Sequence, residues 1–269
     1  MRGPTRGAWD GDHPMKVLVT GGTSGLGRAM AAALAEAGAT VALTGRSGGR
    51  ADEVAAGLAG AIGIEMDVRD ESSVAEAVDL AWSRLDGIDM LVNNAGIGMR
   101  TVNPRFMTHP QGFWDVSADG FRAVIDTNLT GYFLVARDVT PRMLAAGGGR
   151  IVNISVSEST MHRAGFVPYG PSRAGSDALS RIMAADLRDT GVTVNQLLPG
   201  GPTLTGMLPL EAVPEGRQFL EPEVMGPPIV WLASDSAADV HDERIVATEF
   251  ETWLRARDAA GGTRSRPRS

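Results

Sequence analysis

The chain has no cysteine. That excludes disulfides, thiolate metal sites and cysteine nucleophiles, and it suits a reducing, cytoplasmic setting. Basic residues are in deficit: 25 Lys and Arg stand against 32 Asp and Glu, a formal net charge of −7. A net acidic protein gains no sequence-independent attraction to DNA phosphates, so nucleic acid is not expected as a partner. Histidine is scarce and scattered. His13, His109, His162 and His241 show no metal-ligand spacing within one element, so no metal is expected. No apolar run is long enough to span a bilayer, and no membrane partner is expected. Residues 1–14 lack the apolar core of a secretory signal and read as a flexible extension.

What is present is a 269-residue chain that is 43% hydrophobic, enough to bury a large core in one domain. That domain is expected over 15–257. The last segment, 258–269, is rich in Gly, Ser, Arg and Pro and reads as a disordered tail. Between these ends, short apolar runs alternate with helical patterns, the signature of βαβ units. The spacing predicts strands over 16–20, 40–44, 62–66, 89–92, 151–154, 192–198 and 244–248. It predicts helices over 25–37, 71–85, 119–146, 169–188 and 227–234, and a mobile loop over 200–222. The implied class is α/β: a doubly wound, mostly parallel sheet with helices on both faces.

Directly after the first strand, Thr20 to Gly27 reads TGGTSGLG and opens a helix. Glycines there allow a tight turn and let backbone N–H groups approach a pyrophosphate, while the helix N-terminus favours negative charge. Gly21, Thr23, Ser24, Gly25, Leu26 and Gly27 are therefore candidate dinucleotide contacts. The second strand ends in Thr44, Gly45, Arg46. An NAD-binding protein usually carries Asp or Glu here for the ribose hydroxyls. Arg46 instead suits a 2′-phosphate, which predicts NADP(H) as the preferred cofactor, with NAD(H) possible. Arg50 is a second candidate for that role.

Further segments follow in order: Asp67 and Val68; Asn93 to Gly96 (NNAG); Asn128; Tyr169 to Arg173 (YGPSR); Pro199 and Gly200. With the glycine turn, these make the chain resemble the short-chain dehydrogenase/reductase superfamily over about 15–246. The resemblance implies a Rossmann-like fold and a small-molecule substrate. It also implies a homodimer or homotetramer built through the long helices near 119–146 and 169–188. It implies that Asp67 and Val68 contact the adenine, and that Asn94, Ala95 and Gly96 line the turn beside the adenine ribose or serve close packing. Asn128 would hold a relay water, and Tyr169 would be the catalytic acid/base. Pro199 and Gly200 would turn beside the nicotinamide, with Thr203 or Thr205 touching its carboxamide.

Two positions depart from the family pattern. The Lys expected four residues after the tyrosine is Arg173, which keeps the charge but gives up no proton. The serine expected thirteen residues before the tyrosine is Val156, flanked by Ser155 and Ser157. Ser157 is preferred as the carbonyl-orienting residue because strand regularity fails there, although side-chain period alone does not separate the two. The expected function is an NADP(H)-dependent oxidoreductase interconverting an alcohol and a carbonyl on a small, partly apolar substrate. The alternative is a cofactor-binding relative without ordinary redox turnover. Residues 99–114, with Phe106, Met107, Phe113 and Trp114, read either as substrate rim or as a loop packed on the body or another subunit.

Overall fold

In the computed structural model, the structure describes residues 14–208, 216 and 218–262. Seven strands form one sheet: β1 (Lys16–Val19), β2 (Thr40–Gly45), β3 (Ile62–Glu65), β4 (Met90–Asn93), β5 (Gly149–Ile154), β6 (Val192–Leu198) and β7 (Arg244–Val246). Their order is β3-β2-β1-β4-β5-β6-β7, and every pairing is parallel. The chain first winds outward from β1 to β3, then crosses to the other side of β1. This reversal between β1 and β4 opens a crevice beyond the carboxyl ends of the strands, where such sheets bind ligands.

The strands read as continuous apolar runs because both faces are covered. Val17 and Val19 of β1 enter one core, with Met30 and Leu34 of α1 (Gly25–Glu36), Val54 of α2 (Gly48–Ala56), Ile229 and Leu232 of α8 (Gly226–Ala233), and Phe250 of α9 (Phe250–Gly262). Leu18, the residue between them, enters the other. There it joins Val74 and Val78 of α3 (Glu71–Leu85), Val135 and Val139 of α5 (Gly131–Ala146) and Ala184 of α7 (Tyr169–Asp186). Alternating Cβ directions along one strand thus place helices on both sides. Arg150 secures α8 by donating to the Leu232 carbonyl at 2.8 Å and the Ser234 carbonyl at 2.6 Å, which satisfies carbonyls at its C-terminal end.

Three differences from the sequence expectation have local causes. The helix expected over 119–146 is two helices, α4 (Ala118–Ile125) and α5, joined by a π turn at Asp126–Thr130. Helix α2 was not anticipated, because Gly48 and Gly49 lower helix propensity; Ser47 starts it by accepting from the Arg50 N–H at 3.4 Å. Helix α9 runs to Gly262, so 258–262 are helical rather than part of a disordered tail. The expected extension falls outside the described residues except for Pro14, as do 263–269 and positions 209–215 and 217 of the expected mobile loop. The two ends of that loop are joined: the Leu204 N–H donates to the Leu220 carbonyl at 2.9 Å, and the Leu220 N–H to the Pro202 carbonyl at 2.9 Å.

Candidate active site

The glycine turn lies at the C-terminal end of β1 and packs without room for side chains. Gly21 has φ +63°, and a Cβ there would sit 2.8 Å from the Ala95 Cα. A Cβ on Gly27 would collide with Asn94 Nδ2 and the Gly21 carbonyl. Asn94 Nδ2 donates to the Thr20 carbonyl at 2.9 Å and to the Gly21 carbonyl at 3.1 Å, which ties the β4 turn to the β1 turn. Thr20 Oγ1 accepts from the Asn94 and Ala95 amides at 2.9 and 3.0 Å. The result is a cradle of backbone at the start of α1, with Ser24 exposed and Thr23 and Leu26 half-buried. Such a cradle fits a diphosphate.

On the adenine side, Gly45 is pressed against Thr23, whose Cγ2 would lie 2.6 Å from a Cβ at that position. Arg46 follows directly. It is exposed and forms no hydrogen bond or ion pair among the described residues. Arg50, the second candidate, is already paired with Glu53 at 2.7 Å. Asp67 is gripped by Arg69: Nε donates to Oδ1 at 2.9 Å and Nη2 to Oδ2 at 2.5 Å. That hydrogen-bonded pairing holds the Asp67 carboxyl below the usual carboxylate range against the opposing effect of burial, and Arg46 adds a smaller contribution. Val68 is buried against Gly131, where a Cβ would approach its Cγ2 to 2.7 Å.

At the centre, Asn128 is fully buried in the π turn. Its Oδ1 accepts from the Ile97 amide at 2.9 Å; its Nδ2 donates to the Ile97 carbonyl at 2.9 Å and to Ser172 Oγ at 3.0 Å. Ser172 in turn donates to the Tyr169 carbonyl at 2.8 Å. Asn128 therefore clamps the segment after Gly96 to the start of α7. Both of its N–H donors are occupied, and only a second lone pair on Oδ1 remains for water.

Tyr169 is half-buried at the first turn of α7, and Arg173 lies one turn on, on the same face. The Arg173 guanidinium carbon is 5.4 Å from the Tyr169 ring centre and 5.5 Å from that of Tyr132. Arg173 is only 3% exposed. Its Nη1 donates to the Tyr132 hydroxyl at 2.9 Å and to the Ile154 carbonyl at 3.0 Å. Its Nη2 would be 2.5 Å from a Cβ on Gly96, and its Nε is buried with no hydrogen-bond partner among the described residues. Burial works against its charge, but the Tyr132 and Tyr169 phenols outweigh that and hold its pKa above the ordinary guanidinium value. Gly96 lies against the Arg173 guanidinium and Ala95 against Gly21, so the turn after β4 links the cation to the cradle. The residues present fit a dinucleotide.

Residues 15–212 match the family model for short chain dehydrogenase. The chain belongs to that family. It is an NAD(P)-dependent short-chain dehydrogenase/reductase. It is 36% identical over 242 residues to the 3-oxoacyl-(acyl-carrier-protein) reductase of Aquifex aeolicus, covering 85% of this chain and 93% of the relative. It is 33% identical over 245 residues to the D-threitol dehydrogenase of Mycolicibacterium smegmatis, covering 85% and 89%. The 3-ketoacyl-(acyl-carrier-protein) reductase from Brucella melitensis, solved in complex with NADH, superposes with a TM-score of 0.74 at 26% identity, covering 87% of this chain and 96% of that one.

In this short-chain dehydrogenase the two serines part company. Ser155, 2% exposed, donates to Asp177. Ser157 stands at the start of α6 (Glu158–Met161), half-buried, with its hydroxyl 2.8 Å from Thr160 Oγ1 and 3.1 Å from Ser159 Oγ. Val156 is half-buried between them. The two threonines also separate. Thr203 is buried and donates to the Gly201 carbonyl at 3.1 Å, whereas Thr205 lies against the glycine turn, its Cγ2 3.1 Å from a Cβ on Gly25. Pro199 is buried, and Gly200 has φ +98°. From residues 99–114, Phe106 meets Phe166 edge-on at 5.6 Å, and Phe166 meets Tyr169 at 6.5 Å, so this segment builds an aromatic wall leading to the tyrosine. His162 is exposed on the surface.

Sequence reasoning missed Tyr132, Ser172, Asp177 and Arg244. For Tyr132 a signal existed: it is one of only two tyrosines and stands four residues after Asn128. Nothing in the sequence marked the other three.

Proposed function

We propose that this dehydrogenase prefers NADP(H) and interconverts an alcohol and a carbonyl on a small, partly apolar substrate. The observation that carries the reading is a half-buried phenol, Tyr169, with the buried Arg173 guanidinium 5.4 Å from its ring centre. When bound, the nicotinamide supplies or accepts the hydride. Tyr169 holds the transferred proton: in reduction its hydroxyl protonates the developing alkoxide, and Arg173 stabilises the phenolate left behind. Arg173 stays charged throughout, so proton return bypasses it and runs through water at the remaining acceptor of Asn128. Ser157 orients the carbonyl. Gly21, Ser24, Gly25 and Leu26 face the diphosphate, and Arg46 the 2′-phosphate. Asp67, Val68, Asn94, Ala95 and Gly96 line the adenosine side, and Pro199, Gly200 and Thr205 the nicotinamide side. Phe106, Phe166 and the Tyr169 ring supply the apolar wall that favours a hydrophobic substrate.

Purified protein mixed with NADPH or NADH and a panel of ketones and aldehydes tests this. Loss of reduced-nicotinamide absorbance, faster with NADPH, is expected. Tight NADPH binding with no turnover of any carbonyl or alcohol would overturn the redox reading. We also infer a homodimer or homotetramer in the cytoplasm. Phe121 of α4, Phe133 and Leu144 of α5 and Ile182 of α7 are exposed apolar residues on the long helices, which suits helix-to-helix association. Sedimentation as a monomer would exclude the oligomer.

A further inference from the structure

We propose that Tyr132 is a positioning residue for the acid/base: its hydroxyl anchors the Arg173 guanidinium and so sets the cation beside the Tyr169 phenol. The inference rests on the reading of Tyr169 given above. Three elements meet at one triangle. Arg173 of α7 donates through Nη1 to the Tyr132 hydroxyl at 2.9 Å and to the Ile154 carbonyl at 3.0 Å. The Tyr132 hydroxyl, from α5, donates to that same carbonyl at the end of β5 at 3.2 Å. Tyr132 is 1% exposed, and burial pushes its phenol up against the lowering effect of Arg173. It therefore stays protonated and keeps one lone pair aimed at the cation.

A guanidinium needs such an anchor more than an ammonium does. It is planar, its donors point in fixed directions, and its long stem has many rotamers. Among the described residues Nη1 finds acceptors only in Tyr132 and Ile154, and Nε has none. The cation lies almost equidistant from the two rings, 5.5 and 5.4 Å, so a tether on the Tyr132 side controls its approach to Tyr169. A lysine ammonium at position 173 is a compact point charge with rotatable donors and would depend less on this hydroxyl. Arg173 and Tyr132 thus act as one unit.

The chain's two tyrosines, Tyr132 and Tyr169, make this directly readable, because tyrosinate absorbance reports only two phenols. The full-length protein is titrated alongside Tyr132→Phe, Arg173→Lys and the double variant, with Tyr169→Phe identifying the Tyr169 transition. Tyr132→Phe is expected to move the Tyr169 transition to higher pH by about one unit, a tenfold loss of phenolate at fixed pH. In the Arg173→Lys background the same change is expected to move it by less than half as much. No movement, or equal movement in both backgrounds, would reduce Tyr132 to a core side chain and overturn the proposal. If Tyr132→Phe alone fails to fold, the Lys background decides. A double variant that folds and titrates within about half a unit of Arg173→Lys supports the anchor; one that shifts by more, or also fails to fold, removes it. Full turnover by Tyr169→Phe would instead sink the acid/base reading, independently of what the titrations show.

Discussion

The hydroxyl of Ser155 donates to the carboxylate of Asp177. That carboxylate also takes Arg244 Nε at 3.3 Å, and Arg244 donates on to the Val156 carbonyl. The chain leaving β5 is thereby fixed from behind, and Ser155 is occupied in fixing it. Ser157→Ala is therefore expected to lower turnover, by about a hundredfold if its hydroxyl steadies the developing oxyanion. Ser155→Ala should instead lower stability by about 1 kcal/mol and leave turnover little changed. Kinetics and thermal melts of both variants check this; the opposite assignment of losses would show that Ser155 is the catalytic one.

Arg46 stands exposed and, among the described residues, unpaired next to the Gly45–Thr23 contact, whereas Arg50 is engaged with Glu53. Arg46→Ala should weaken NADPH by about tenfold or more, the scale of a charge-assisted hydrogen bond, and NADH much less. Fluorescence titration with each nucleotide measures the two losses. Equal losses would remove the 2′-phosphate assignment, and Arg50→Ala should affect neither nucleotide strongly.

Gly27 has no room for a Cβ, because Asn94 Nδ2 and the Gly21 carbonyl occupy the space. One of those neighbours is backbone, so relief requires the two turns to part. Gly27→Ala is expected to cost about 1–3 kcal/mol of stability and to weaken both nucleotides together. Denaturant melts and binding titrations report the pair of effects; unchanged binding would mean that the cradle does not hold the diphosphate.

Asp67 sets a pH dependence through Arg69, which holds its carboxyl below the ordinary range. The unfolded chain then binds that proton more readily than the folded one. The stabilisation is fully present above about pH 4 and is lost as pH falls through the lower folded value. Wild type should out-melt Arg69→Gln at neutral pH, by a small margin because both groups are partly exposed. The gap should close in strong acid. A gap that persists unchanged there would assign the effect to packing rather than to the ion pair.

Much of the fold was legible because its signals are local. The apolar runs around Val17, Val41, Leu91, Ile151 and Val194 repeat between helical patterns, and α3 begins and ends where its periodicity does. Less legible were the elements whose stability comes from packing. Gly48 and Gly49 argue locally against α2, yet Ala51, Val54 and Ala55 are buried against the first core and hold it in place. The π turn at Asn128 was hidden in an uninterrupted helical pattern, because its visible partners are Ile97 and Ser172, 31 and 44 residues away.

The order of residues along the chain was enough to determine the parallel sheet, the glycine turn after β1, the family, and the pairing of Tyr169 with a cation four residues on. The sheet and the turn follow from periodicity and short-range spacing, which any local segment carries in itself, and the family and the Tyr169 pairing from a resemblance in short motifs. The fold alone decided that Ser155 serves Asp177 and that Arg173 is tethered to Tyr132. Each of those outcomes depends on which hydrogen-bonding groups meet when distant segments pack. A buried donor settles on whichever acceptor the tertiary structure leaves within reach.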